Sequence, residues 1–135
     1  METFSPVVQM DTICAILALV PLKKLQVHQM DVKGAYLNGV LQETIYMKQP
    51  EGCEDGTGRV CQLVKTLYGL KQSGREWNKQ LDEKLRKHSY THLCSDPCAY
   101  VRWDGDDFAI ITMWVDDLLL FATLDKMMDH MKNSL

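Results

Sequence analysis

Two adjacent carboxylates, Asp116 and Asp117, interrupt an apolar run. Ile110-Ile111-Thr112-Met113-Trp114-Val115 precedes them and Leu118-Leu119-Leu120-Phe121 follows. Acids in such surroundings are costly unless they are paired, bound to a cation or turned into water. Two explanations stand side by side: a solvated Asp-Asp hairpin turn, or a cation site. Asp31 raises the same question from inside Val27-His28-Gln29-Met30-Asp31-Val32, a short extended stretch. If that stretch lies beside the Asp116 turn, three carboxylates converge. Hard divalent cations favour such oxygen clusters, completed by water and substrate phosphates. Two such ions roughly 4 Å apart activate an attacking hydroxyl and stabilise a leaving oxygen in phosphoryl transfer. Spacing along the chain leaves the convergence open. The acidic stretch Asp104-Gly105-Asp106-Asp107 lacks the pattern of a calcium loop and reads as an exposed turn.

The elements that must position these residues can be sketched from periodicity. Asp11 or Thr12 can cap a short helix through Ile13, Ile16, Leu17 and Val20, which Pro21 helps to end. Leu25 to Val32 is a strand candidate, residues 34–43 a helical turn, and Thr44 to Lys48 a short extended piece. Gln49 to Arg59, with Pro50, Gly52, Gly56 and Gly58, is a loop. Val60 to Val64 reads as a strand and Leu67 to Gln72 as a turn around Gly69. Ser73 and Glu76 form a capping box for the longest helix, whose stripe is Trp77, Leu81, Leu85 and His88. Asp96-Pro97 marks a break before a strand over Cys98 to Trp103, and Asp104-Gly105 is a hairpin turn. Phe108 to Val115 is the return strand. Leu118 to Ala122 either continues it or forms a second strand. Lys126 to Leu135 starts a helix that is expected to lack a packing partner. Strands and helices intermixed in this way give an α+β class in one domain over residues 1–135.

Composition narrows the class. The chain has 135 residues, enough for one core. Its longest early apolar stretch, Ile13 to Leu22, is too short to span a bilayer, so no membrane partner is expected. The five cysteines are odd in number and form no close pair, which reads as reduced thiols in an intracellular protein. A zinc site built from His88, His92, Cys94 and Cys98 is disfavoured because such sites show tighter paired ligands. The net charge of −3 hides a split. Residues 59–88 carry eight Lys or Arg against three acids, whereas residues 89–135 carry three against eight aspartates. That division suits a protein gripping phosphates with one part and cations with another, or a solvated helix face with no partner.

Six ordered stretches carry a resemblance. They are Glu2-Thr3-Phe4-Ser5-Pro6-Val7-Val8, Gln29-Met30-Asp31-Val32-Lys33-Gly34-Ala35-Tyr36-Leu37-Asn38-Gly39 and Ile45-Tyr46-Met47-Lys48-Gln49-Pro50-Glu51-Gly52, followed by Leu67-Tyr68-Gly69-Leu70-Lys71-Gln72-Ser73-Gly74-Arg75-Glu76-Trp77, Asp96-Pro97-Cys98-Ala99-Tyr100 and Val115-Asp116-Asp117. In order and spacing the chain resembles the copia-type reverse transcriptases of retrotransposon Pol polyproteins, RNA-directed DNA polymerases. The resemblance implies a palm-like antiparallel sheet with helices on one face, part of the fingers and no thumb.

It also implies roles. Asp31, Asp116 and Asp117 would be the catalytic and metal-binding carboxylates, with Mg²⁺ as the cofactor and Mn²⁺ as its substitute. Tyr36 would lie under the sugar of the incoming deoxynucleoside triphosphate and exclude a 2′-hydroxyl. Backbone N–H groups around Gly34 and Ala35 would approach its phosphates, and Gly69 would let the chain pass close to the nascent base pair. Lys71 and Arg75 would bind phosphates of an RNA or DNA template with its primer. Tyr36 as a core tyrosine, Gly69 as a turn glycine and Lys71 and Arg75 as solvated cations remain the plain alternatives. Trp114 departs from the family's usual tyrosine and is expected to disturb the hairpin; Gly74 replaces a common proline. By the resemblance, the remaining Pol segments, namely most of the fingers, the thumb and RNase H, are expected to lie outside these 135 residues. The isolated chain is therefore expected to be weak or inactive, and the rival reading is an inactive remnant or a co-opted nucleic-acid-binding module. An intracellular setting is expected, cytoplasmic with the nucleus as the alternative.

Overall fold

The computed structural model describes residues 5–135. Glu2, Thr3 and Phe4, from the first family-like stretch, lie outside the described residues. Among the described residues, seven strands and three α-helices follow in order: α1 (Met10–Lys23), β1 (Gln26–Asp31), a 3₁₀ turn (Ala35–Asn38), β2 (Val40–Lys48), β3 (Val60–Lys65), α2 (Ser73–Lys87), β4 (Thr91–Leu93), β5 (Asp96–Asp104), β6 (Asp107–Trp114), β7 (Asp117–Ala122) and α3 (Asp125–Ser134). The main sheet is antiparallel with strand order β1-β7-β6-β5-β4, and β2 with β3 forms a separate two-stranded sheet. The α+β class is as expected.

Alternation along the central strands loads both faces of the sheet, because successive side chains point to opposite sides. Ile111, Met113, Leu118 and Leu120 pack with Trp77, Leu81 and Leu85 of α2 and with Met127, Met128 and Met131 of α3. Phe108, Ile110 and Phe121 belong to a second cluster with Ile16 of α1. The helices thus flank two faces, not one. A strand such as β6, apolar at odd and even positions alike, needs a cover on each side. α3 also corrects the expectation of an unpartnered helix, since its methionine stripe is buried against β6 and β7.

Several local expectations change for physical reasons. Pro21 lies inside α1 rather than ending it. Its missing N–H forfeits the bond that residue 21 would give to the Leu17 carbonyl, yet the helix stops only at Lys24, which is left-handed at φ 52. Gln9, not Asp11 or Thr12, occupies the N-cap position. The capping box is absent: Gln72 precedes α2, the Ser73 hydroxyl donates to the Leu67 carbonyl at 2.5 Å, and the Glu76 carboxylate accepts from Arg75. Asp96-Pro97 opens β5 instead of breaking before it, paired with a short edge strand β4 whose register shifts there. Asp96 is fully buried because its carboxylate accepts the N–H groups of Gln9 at 2.8 Å and Cys98 at 2.9 Å. That acid is structural.

All five cysteines are free, with Cys14, Cys53 and Cys94 exposed. Cys98 is fully buried, and burial, followed by the charge of Asp96, pushes its thiol up to about 11. A disulfide-exchange reagent at pH 8 is expected to label the three exposed cysteines quickly and Cys98 only on unfolding. Rapid native-state labelling of Cys98 would contradict this packing. Among the described residues no helix is long and apolar enough to cross a membrane.

Candidate active site

The pairing of β1 with β7 brings two of the three carboxylates into register. Asp31 lies directly opposite Asp117, and the Val32 N–H donates to the Asp116 carbonyl at 2.9 Å. Facing residues of an antiparallel pair have Cβ atoms about 5 Å apart and point to the same side, and like charges so placed repel. Asp31 and Asp117 are exposed and Asp116 is half-buried. The Asp117 carboxylate accepts from the Gln29 side chain at 3.2 Å. Asp116 itself occupies the tight turn between β6 and β7, whose closing pair is Trp114 opposite Asp117. The Leu118 to Ala122 segment is therefore a second strand. Trp114 leaves this hairpin in regular register, with its indole about half exposed, so the expected disturbance is not seen.

The turn is strained. Val115 has φ 59, a left-handed value that β-branched residues rarely adopt. Such a conformation costs about 1–3 kcal/mol and persists where neighbours impose it. Three donors do so here. Val8 N–H reaches the Met113 carbonyl at 3.0 Å, Val32 N–H reaches Asp116, and the indole Nε1–H of Trp77 reaches the Val115 carbonyl at 2.8 Å.

Beside this turn opens a cavity of about 190 Å³, lined among others by Tyr36, Lys71, Gly74, Trp77 and Val115. Tyr36 arrives on the 3₁₀ turn five residues after Asp31. Its ring packs on Tyr68 at 4.9 Å between centroids, and it is half-buried rather than sealed in the core. Its carbonyl accepts from the hydroxyl of the fully buried Thr66. Gly39 is packed so closely that a Cβ would sit 2.5 Å from that hydroxyl. Thr66 thereby joins the end of β3 to the Tyr36 turn. Neither Thr66 nor the indole contact of Trp77 was flagged by sequence reasoning. Both are tertiary contacts with no local pattern.

The other candidates are placed less uniformly. Gly34 is left-handed at φ 63, as a turn after β1 requires. Ala35 is fully buried, and its N–H is already committed to the Val32 carbonyl at 3.1 Å. Gly69 has φ 96, and a Cβ there would meet nothing within 4 Å. In the free chain the backbone angle, not crowding, demands glycine. Lys71 is exposed at the cavity mouth. Arg75 is engaged: it donates to Glu76 at 2.7 Å and lies 3.7 Å from Glu43, contacts that raise its already high pKa, with Glu76 the main cause. Arg59 and Arg86 likewise pair with Asp55 and Asp82. Three of the eight cations of the basic block thus pair with acids of the chain.

Among the described residues no three His, Cys, Asp or Glu side chains are placed to share one ion. His88, His92, Cys94 and Cys98 form no such group among the described residues. The carboxylates of Asp31, Asp116 and Asp117 are likewise adjacent without closing on a common point. The donor chemistry nevertheless fits a hard divalent ion. Mg²⁺ is commonly held by one or two carboxylates plus waters and substrate phosphates, and two facing like charges are themselves relieved by a cation.

Comparisons with known proteins bear on this arrangement. A family model described as reverse transcriptase (RNA-dependent DNA polymerase) matches residues 1–135. The chain is 46% identical over 122 residues to the retrovirus-related Pol polyprotein from transposon TNT 1-94 of Nicotiana tabacum, covering 88% of this chain and 9% of that protein. It is 36% identical over 121 residues to the corresponding polyprotein from transposon RE1 of Arabidopsis thaliana, covering 88% and 8%. With transposon RE2 of the same plant it shares 32% over 136 residues, covering 99% and 9%. The chain therefore spans less than a tenth of the length of these relatives. No solved structure matches it.

Proposed function

The chain belongs to the reverse transcriptase (RNA-dependent DNA polymerase) family, and on that premise we propose that it carries the nucleotidyl-transfer site of a copia-type retrotransposon Pol polyprotein. The observation that carries the proposal is the apposition of Asp31 and Asp117 across β1 and β7, with Asp116 at the adjoining turn and the Tyr36 cavity beside it. The five-stranded sheet is read as the palm and the β2–β3 hairpin as part of the fingers. Asp31, Asp116 and Asp117 would hold Mg²⁺, or Mn²⁺ in its place, which when bound neutralises phosphate charge and favours an ionised primer 3′-hydroxyl.

The chain's own residues supply the positioning. The reaction joins the primer 3′-oxygen to the α-phosphorus of a deoxynucleoside triphosphate and releases pyrophosphate. Tyr36 presents its ring where a sugar enters the cavity, leaving little room for a 2′-hydroxyl. Lys71 offers a cation to phosphates at the cavity mouth. Gly34 and Gly69 keep the surrounding turns in left-handed geometry. Positioning and charge neutralisation account for most of such catalysis. Template, primer and the remaining Pol segments are the implied partners, and an intracellular, chiefly cytoplasmic setting is part of the same proposal.

Two observations favour the rival reading of a remnant or co-opted nucleic-acid-binding module. Arg75 is tied to Glu76 and Glu43, and the three carboxylates do not close on one point. Binding of a fluorescent deoxynucleoside triphosphate in Mg²⁺ separates the two. The polymerase reading expects saturable binding with a preference of about tenfold or more over the ribonucleotide, lost in Tyr36→Ala. Absence of saturable nucleotide binding, with retained affinity for a primed template, would favour the rival.

A further inference from the structure

The strained turn that presents Asp116 has three hydrogen-bond donors holding it, and only one is a side chain. Val8 and Val32 contribute backbone N–H groups, whereas Trp77 contributes its indole. Trp77 is 6% exposed and sits in the core with Ala35, Leu81 and Leu85, so its ring has little freedom. An indole N–H is a donor only, and a buried one needs an acceptor. The acceptor it takes is informative. The Val115 carbonyl belongs to the peptide joining the left-handed residue to Asp116. Rotating that peptide would change ψ of Val115 and φ of Asp116, and so re-aim the Asp116 side chain.

We propose that Trp77 is a positioning residue: its indole N–H locks the Val115–Asp116 peptide, and thereby the direction in which Asp116 presents its carboxylate to a divalent cation. The proposal rests on the cation-site reading above and adds a helix-to-turn tether to it. The tether also couples α2 to the site. The helix that begins just after Lys71 and contains Arg75 places Trp77, the residue gripping the aspartate turn, at its fifth position, so a shift of α2 on engaging phosphates would reach Asp116 through one hydrogen bond.

The test uses the whole chain and Mn²⁺ as the probe, with free ion followed by electron paramagnetic resonance. Trp77→Phe keeps the ring and deletes the donor. It is expected to bind Mn²⁺ between about tenfold and a hundredfold more weakly, the usual effect of losing a group that orients a ligand. Asp116→Asn should bind more weakly still. Leu81→Ala, a core change on the same helix, should melt lower yet bind as wild type. A second readout needs no substitution: in a Mg²⁺ titration followed by nitrogen-15 spectra, the Trp77 indole signal should shift saturably while that of Trp103 stays fixed. If Trp77→Phe binds like wild type while Asp116→Asn is impaired, the tether is wrong and the carboxylate reading stands. Equal binding by all of them overturns the carboxylate reading itself. Equal losses in Trp77→Phe and Leu81→Ala, or a Trp77 signal indifferent to Mg²⁺, would likewise reject the tether.

Discussion

Asp31→Asn is expected to weaken Mn²⁺ binding by more than about a hundredfold and, in metal-free buffer, to raise the melting temperature. The first half follows from removing a ligand, an effect larger than the 10- to 100-fold typical of groups that only orient one. The second follows from the register. Asp31 faces Asp117 directly across two antiparallel strands, where like charges destabilise by about 0.2–1 kcal/mol. In a chain of this size that gain corresponds to roughly 1–4 °C. Both acids are exposed, so the gain should shrink as added salt screens the pair. Wild type, in turn, should be stabilised by Mn²⁺ and the variant should not. The opposite signs make the prediction sharp. A variant that both melts lower and keeps its metal affinity would show that Asp31 serves the fold instead of a cation.

Gly39→Ala carries the second large effect, this time on stability. The glycine has an ordinary extended backbone, φ −66 and ψ 137, so its conformation would accept alanine. Space would not. The new Cβ would lie 2.5 Å from the Thr66 hydroxyl and 3.1 Å from the Glu76 Cβ. Thr66 cannot simply retreat, because it is fully buried and its hydroxyl donates to the Tyr36 carbonyl. Overpacking of this kind costs about 1–3 kcal/mol, and the strain would pass to Tyr36 and the cavity it lines. Gly69→Ala makes the contrast. A Cβ there meets nothing, and only φ 96 resists it, a cost of about 1–2 kcal/mol. Urea melts of the two variants, each combined with Thr66→Ser, should separate the cases. Removing the Thr66 methyl, itself 3.2 Å from the new Cβ, should recover part of the loss in Gly39→Ala and none in Gly69→Ala. Equal responses would remove the steric argument.

Much of this architecture could be read from local patterns, and the misses have identifiable causes. Four-residue spacing placed Trp77, Leu81 and Leu85 on the buried side of α2. Asp104-Gly105 marked the β5–β6 turn, with Gly105 left-handed at φ 66. These features are decided within a few residues of themselves. β4 was not legible, being three residues long and dependent on β5 for its existence. Nor was the side of the sheet on which α1 packs, because a helix bearing Ile13, Ile16 and Val20 suits either face. Ser73 and Glu76 match a capping pattern, but Gln72 holds the N-cap position and the nearby Leu67 carbonyl and neighbouring Arg75 claim the two side chains. At the site, composition marked Asp31, Asp116 and Asp117 as acids needing a reason. Their adjacency belongs to strand register, and the commitments of Arg75 and the Ala35 N–H belong to packing. No spacing rule contains either.

The β1–β7 pairing also dictates when the site can exist. Gln29 and Asp117 touch across 88 residues of sequence, whereas β5, β6 and β7 are joined by tight turns. Short-range hairpins close quickly, and distant pairings wait because loop entropy must first be overcome. On a ribosome, Asp31 emerges long before its partner strand and must stand unpaired until β7 follows. The meander β5–β6–β7 thus serves as the template on which β1 is laid down late. Apposition of Asp31 and Asp117 would then report completion of the fold, and a folding intermediate would have the hairpins but not that pair.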